Sequence, residues 1–212
     1  MKGLLIKEIY QLKNSIKTQG MSLVLFAFLG VMMKSTVYVG MMVTVLITNM
    51  ILLTMGYDES CSWKRYAMTM PIRRRDLVTV KYLLLYGLGV CSVLFTMIVG
   101  VPIYLIAQVS LVETFITAVC CALVALCSMS VNIMLCTKFG VEKARLMTVL
   151  SYLLPFGMVW GLFALVDRGV LDLSHVSNAT WGGILAAAVA MILMLSILLW
   201  HISCRIIENQ DL

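Results

Sequence analysis

The chain alternates long apolar runs with short polar segments, and the lengths of the runs predict its architecture. A transmembrane helix needs about 20 mostly apolar residues. Cutting the sequence at its charges leaves six such runs, of which the first is short but is flanked by Lys17 and Lys34, whose long side chains can reach the two interfaces. The sequence therefore predicts an all-α integral membrane protein, a single domain over 1–212, with six transmembrane helices at 20–33, 35–57, 82–108, 114–137, 146–166 and 180–203.

The distribution of Lys and Arg predicts the orientation of these helices. Of the 16 basic residues, 14 lie in the N-terminal segment, the loop after the second run, the loop after the fourth run or the C-terminal tail. Only Lys34 and Arg168 lie on the opposite side. Because cytoplasmic loops carry an excess of Lys and Arg, both termini are predicted to be cytoplasmic.

The segment 1–17 is predicted to be an amphipathic helix lying in the cytoplasmic interface. A secretory signal peptide is disfavoured because Glu8 and Lys13 interrupt its would-be apolar stretch. A solvated leader before the first transmembrane helix stays open as an alternative. The predicted apolar stripe of the helix consists of Leu5, Ile9, Leu12 and Ile16.

Composition narrows the class of protein further. The chain is 62% apolar and 12% charged, with a mean hydropathy of +1.01, which excludes a soluble enzyme, a disordered tail and a disulfide-rich secreted module. A net charge of +6 and a pI near 9.0 would suit a nucleic-acid partner. In a membrane protein the same excess follows from the basic cytoplasmic loops, so we expect membrane lipids and no nucleic acid as partners.

The sequence offers no catalytic, metal or cofactor residues to assign. Its seven cysteines lack CxxC spacing and its two histidines are far apart, which disfavours a metal site. GxxxxGK[ST], HExxH and GxSxG are missing, so the chain is not expected to be an enzyme by itself. No predicted span carries an ionisable residue in its middle, which argues against an ion-coupling site.

The loop 58–76 is the most informative segment. It predicts a short helix with Asp58 and Glu59 at its positive N-terminal end and Pro71 as its stop. Such a helix is too short to be stable alone, so it must dock on the membrane interface, the bundle or a partner's groove. Its predicted apolar face consists of Trp63, Tyr66, Ala67 and Met70.

The run 57–82 resembles the first cytoplasmic loop of ABC-2 type permeases. The likeness is greatest to the small bacterial six-span group that includes the permeases of phenol-soluble modulin exporters and relatives in bacteriocin self-protection. It covers 26 of 212 residues, and Arg73 and Arg75 make this copy more basic than the family pattern. The matching features are the acidic pair Asp58 and Glu59, then Trp63, Tyr66, Met70, Pro71, Arg74, Lys81 and Tyr82.

The resemblance implies a permease subunit of an ABC exporter in the bacterial cell membrane, with two permeases and two cytosolic ATPases that bind ATP and Mg. It implies an amphipathic substrate such as a peptide, antimicrobial or lipid, and a path between two permease copies near their first and fifth spans. The segment 1–17 would correspond to the interfacial connecting helix of such permeases. The residues implied to couple to the ATPase are Asp58, Glu59, Trp63, Tyr66, Met70, Pro71 and Arg74.

Two other functions stay open at this point. One is a membrane scaffold or sensor without transport, and the other is an intramembrane enzyme, which the missing catalytic residues disfavour. Co-purification of a nucleotide-binding subunit would discriminate between these functions and an exporter.

Overall fold

The computed structural model describes the secondary structure of residues 2–67, 69, 73–107, 110–141, 143, 147, 151 and 178–208. Within these residues the chain is helical and contains no strand. The helices are α1 (Lys2–Met33), α2 (Thr36–Ser60), α3 (Trp63–Ala67), α4 (Arg74–Ala107), α5 (Leu111–Phe139) and α6 (Asn178–Glu208).

Three helices, α2, α4 and α5, pack against one another and form the centre of the bundle. α6 packs on α5 and α4, α1 packs on α2 and α4, and the short α3 contacts α2. The larger apolar cluster joins four of the long helices to α1 through Leu12. It includes Met50, Ile51, Met55, Val78, Tyr82, Leu85, Met129, Ile133, Cys204 and Ile207.

Local sequence signals explain where the helices begin. Ser35 precedes α2 and its hydroxyl accepts a hydrogen bond from the Tyr38 N–H at 3.4 Å. Ser110 precedes α5 and accepts from the Glu113 N–H at 3.2 Å. A serine hydroxyl in this position satisfies one of the amide groups that the first helical turn leaves unpaired.

Four helical stretches are long and apolar enough to cross a membrane. They overlap the predicted spans 35–57, 82–108, 114–137 and 180–203, while 146–166 lies outside the described residues except at 147 and 151. The predicted count of six spans and the cytoplasmic termini stay predictions. The four stretches are Thr36–Ser60, Arg74–Ile106, Leu111–Phe139 and Val189–Glu208.

α1 consists of two arms separated by a bend. If the two arms together form one membrane span, the described helices provide up to five spans. The helix bends by 55° between Gly3–Lys17 and Gln19–Met33, at the boundary predicted between the interfacial helix 1–17 and the span 20–33. The bend coincides with that boundary, and the interfacial position of the first arm stays a prediction.

The N-terminal arm of α1 packs on the bundle through a face that includes one residue of the predicted apolar stripe, Leu12. Ile9 and Ile16 of the stripe are 57% and 53% exposed, and their place in the membrane interface stays a prediction. Glu8 has charged partners inside the bundle and turns its own side of the helix inward. The buried positions of this arm are Leu4, Glu8, Leu12 and Ser15.

Candidate functional site

The acidic pair lies at the end of α2 and not at the start of α3. α2 continues through Asp58 and Glu59 to Ser60, and α3 begins only at Trp63. The expectation that these carboxylates cap the loop helix was therefore wrong. The C-terminal turn of a helix is an unfavourable place for carboxylates, but both find partners on other helices, which offset that cost.

The apolar residues of the loop helix divide between two environments. Trp63 is partly buried and Ala67 is buried, whereas Tyr66 is 57% exposed. The rings of Trp63 and Tyr66 are in contact, with centroids 5.5 Å apart. Thus α3 rests on the bundle through Trp63 and Ala67, and Tyr66 lies at the exposed edge of that face. Met70 and Pro71 lie outside the described residues.

Asp58 is buried and accepts hydrogen bonds on both carboxylate oxygens. Its Oδ1 accepts from Lys7 Nζ and from Gln11 Nε2, the latter at 3.1 Å. Its Oδ2 pairs with Lys81 Nζ at 2.8 Å. Asp58 therefore joins α2 to both α1 and α4.

Glu8 repeats this arrangement with the same two lysines. Its Oε1 is 3.1 Å from Lys7 Nζ and its Oε2 is 2.7 Å from Lys81 Nζ. Lys7, Glu8, Lys81 and Asp58 thus form a closed four-charge ring in which each lysine bridges both carboxylates. The ring has no net charge, and pairing of this kind is what allows ionised groups to be buried.

The four-charge ring is also linked to the loop helix. Lys7 Nζ lies 4.7 Å from the centroid of the Trp63 ring, within the range of a cation–π interaction. The position of α3 is therefore tied to α1 by a charged group that belongs to the ring.

Glu59 makes a separate link from α2 to the end of α5. Its Oε2 accepts a hydrogen bond from the Val141 N–H at 2.6 Å. The preceding residue, Gly140, ends α5 with a φ of +82°, and a Cβ there would lie 2.9 Å from Glu59 Oε1. Glycine is required here both by the backbone conformation and by the close approach of the carboxylate.

Replacing Gly140 with alanine is expected to destabilise the protein by about 1 to 3 kcal/mol, because the residue must adopt a positive φ and displace Glu59. The unfolding midpoint of the purified protein in detergent measures the effect. Gly87→Ala is the matched control, since nothing lies within 4 Å of a Cβ at that helical position. A midpoint for Gly140→Ala as high as that of the control would contradict the role of Gly140.

The basic end of the loop meets the C-terminal end of α6. The guanidinium of Arg75 pairs with the Glu208 carboxylate, with Nη2 3.1 Å from Oε2. Arg74 Nη1 donates to the Glu208 carbonyl at 3.4 Å. Arg74 therefore contacts α6, and both arginines stay exposed.

A cavity of about 50 Å³ lies behind α3. It is far smaller than the pockets of about 300 to 1,000 Å³ that hold small-molecule ligands. Among the described residues no group of His, Cys, Asp and Glu could hold a metal ion. The lining includes Leu4, Glu8, Met55, Asp58, Trp63, Val78, Lys81, Ile133, Val141 and Ile207.

Lys7, Glu8 and Lys81 were not among the predicted site residues. A signal for Glu8 was present, since Leu4, Glu8 and Leu12 recur at intervals of four and share one side of a helix. Lys81 lies within the run of apolar residues from 77 to 85. A charge that shares a buried face needs a charged partner.

The helices and the loop define the chain as a multi-pass membrane protein. The model of the family described as ABC-2 family transporter protein matches residues 3–208. The chain belongs to this family, which makes it a membrane permease subunit of a transporter and not an enzyme. Comparison with curated proteins and with solved structures found no match.

Proposed function

We propose that the chain is the permease subunit of an ATP-driven ABC exporter, and that α3 is the helix through which a separate cytosolic ATPase acts. In this proposal six spans cross the bacterial cell membrane with both termini in the cytoplasm. Two permease copies assemble with two ATPase subunits, which bind ATP and Mg. The subgroup that includes the phenol-soluble modulin exporters is the proposed relative.

The observation that carries this proposal is the two-sided environment of α3. A helix of five residues is not stable alone, yet its Trp63 side is held by the bundle and by Lys7. The edge of the helix beside Trp63 presents the exposed ring of Tyr66. An exposed aromatic side chain on a helix that the bundle holds in place is suited to bind as an anchor in a groove of a partner protein.

The proposed coupling residues have different surroundings. Tyr66 is exposed and is proposed to contact the ATPase directly, and Arg74 is exposed while also contacting the Glu208 carbonyl. Asp58, Glu59 and Trp63 contact other helices of this chain, so in this proposal they fix the base of α3 and pass on its movement. Met70 and Pro71 keep the roles that the resemblance implies for them.

The substrate is proposed to be amphipathic, and an apolar surface on the second arm of α1 supports this proposal. In the proposed dimer this arm borders the path between the two permease copies. The large exposed apolar side chains of the arm are Met21, Val24, Leu25, Phe28, Leu29, Met32 and Met33.

The test is assembly with the ABC ATPase encoded nearest to the gene of this chain. Because the chain lacks a P-loop, the purified chain alone should hydrolyse no ATP. The co-expressed pair should purify as a complex that hydrolyses ATP. A complex made with an ATPase whose P-loop lysine is replaced should be inactive, which controls for contaminants.

Two results would contradict the proposal. The first is ATP hydrolysis by the isolated chain that is also seen in the complex with the inactive ATPase. Such hydrolysis would require a nucleotide site in this chain. The second is failure of any nucleotide-binding subunit to co-purify from native membranes, which would favour the scaffold or sensor function.

A further inference from the structure

The two lysines of the four-charge ring are held in different ways. The Lys81 side chain is 9% exposed and has a third buried partner, the Thr54 hydroxyl at 3.0 Å. The Lys7 side chain is 20% exposed, and its third partner among the described residues is the ring of Trp63 on α3. Lys81 is therefore a fixed corner of the ring, whereas Lys7 lies at its accessible corner.

We propose that Lys7 is a releasable latch between α3 and the N-terminal arm of α1. With α3 docked, the Trp63 ring covers the Lys7 ammonium and holds it against Glu8 and Asp58. When α3 moves away, Lys7 loses that cover and its flexible stem carries the ammonium into water. The tie from Lys7 to α2 then breaks, which loosens the arm, while Glu8 stays paired with Lys81 on α4 and Gln11 with Asp58.

The fixed corner makes this opening feasible. Lys81 contacts one oxygen of Glu8 and one oxygen of Asp58, so each carboxylate keeps a cationic partner when Lys7 leaves. Loss of Lys81 would differ, because Lys81 is the more deeply buried of the two cations and also bonds the Thr54 hydroxyl. The four-charge ring can therefore open at Lys7 without coming apart.

The cause of the movement rests on the proposed function, since an ATPase would be what displaces α3. The latch itself is a property of this chain and can be measured without a partner. A result that contradicts the latch can therefore be distinguished from a failure of the ATPase to assemble with the chain.

The experiment measures the distance between α1 and the end of α3 by pulsed electron spin resonance on the full chain in nanodiscs. Spin labels are placed at Lys17 and Thr69, both exposed, after the native cysteines have been replaced. The tested variants are Lys7→Met, Lys7→Arg and Trp63→Leu. Lys13→Met, at another exposed lysine on the same arm, is the matched control.

The latch predicts a narrow distance distribution for the wild type, Lys7→Arg and Lys13→Met. It predicts a broader distribution, shifted to longer distances, for Lys7→Met and for Trp63→Leu, which keeps apolar bulk but has no aromatic face for the cation. If Lys7→Met does not fold, Trp63→Leu decides. A narrow distribution for Trp63→Leu, or a broad one for the wild type or Lys13→Met, would overturn the proposal.

Discussion

Replacing Lys81 with methionine is expected to destabilise the isolated permease by about 3 to 5 kcal/mol. The substitution keeps most of the apolar stem but removes the cation that bridges Glu8 and Asp58. Both carboxylates are buried, and Lys7, the cation of the ring that remains, is the more exposed of the two. Removing one partner of a buried ion pair has an effect of this size because it leaves an uncompensated charge in a medium of low polarity.

The unfolding midpoint of the purified protein in detergent measures this effect. For a chain of this size the loss corresponds to a decrease on the order of 10 °C. The double variant Lys81→Met/Glu8→Gln should unfold at a higher temperature than Lys81→Met alone, because it removes one negative charge together with the positive one. A higher midpoint for the double variant would indicate that the two residues interact. Two unrelated destabilising substitutions would instead lower the midpoint further, because their effects on the free energy of unfolding add.

The matched control is Arg75→Met, which breaks an ion pair at the surface. Arg75 and Glu208 also join two helices, but their side chains are exposed and solvated. We expect little change in the midpoint, as for most exposed ion pairs. Two results would contradict the conclusion that burial makes the ring important for stability. One is a decrease in the unfolding midpoint for Arg75→Met as large as that for Lys81→Met, and the other is a double variant less stable than Lys81→Met.

Much of the fold could be predicted because the membrane imposes a simple length rule. Uninterrupted apolar runs gave the positions of α2, α4, α5 and α6 to within a few residues at most ends. The start of α4 was missed by eight residues, since the helix begins at Arg74 and not at 82. Charged residues ended the predicted span, but they do not end a helix that extends beyond the membrane.

The four-charge ring could not be derived from the sequence in the same way. Its members come from three helices, and Asp58 lies 51 residues from Lys7. Which charges meet depends on how the helices pack and rotate, which the apolar pattern specifies only loosely. The sequence placed Glu8 and Lys81 next to apolar residues, but it could not identify their partners.

The face of α3 was also only partly predictable. Successive residues of a helix are about 100° apart, so Trp63 and Ala67 are separated by about 40° while Tyr66 lies about 60° to the other side of Trp63. All three residues therefore fit on one broad apolar face, and the sequence pattern does not show which part of that face is buried. The structure buries the Trp63 and Ala67 side, so Tyr66 lies at its edge and stays exposed.

The exposed edge of α3 leads to the prediction with the largest expected effect on assembly. Tyr66→Ala should weaken binding of the cognate ATPase by about 30-fold, equivalent to about 2 kcal/mol, which is typical for loss of an aromatic interface anchor. Trp63→Ala/Tyr66→Ala should abolish assembly and transport, because it also removes the contact that holds α3 to Lys7. Both variants should insert normally, since the loop lies outside the apolar spans.

Pull-down of the ATPase by variants expressed at wild-type level measures this effect. The control is Tyr10→Ala, which removes another exposed tyrosine, on the N-terminal arm of α1, and should leave binding unchanged. The alternative is that Tyr66 rests in the membrane interface, where tyrosine is also common. Undiminished pull-down by Trp63→Ala/Tyr66→Ala would favour that alternative and exclude α3 as the coupling helix, because an anchor cannot be removed from a groove without loss of affinity.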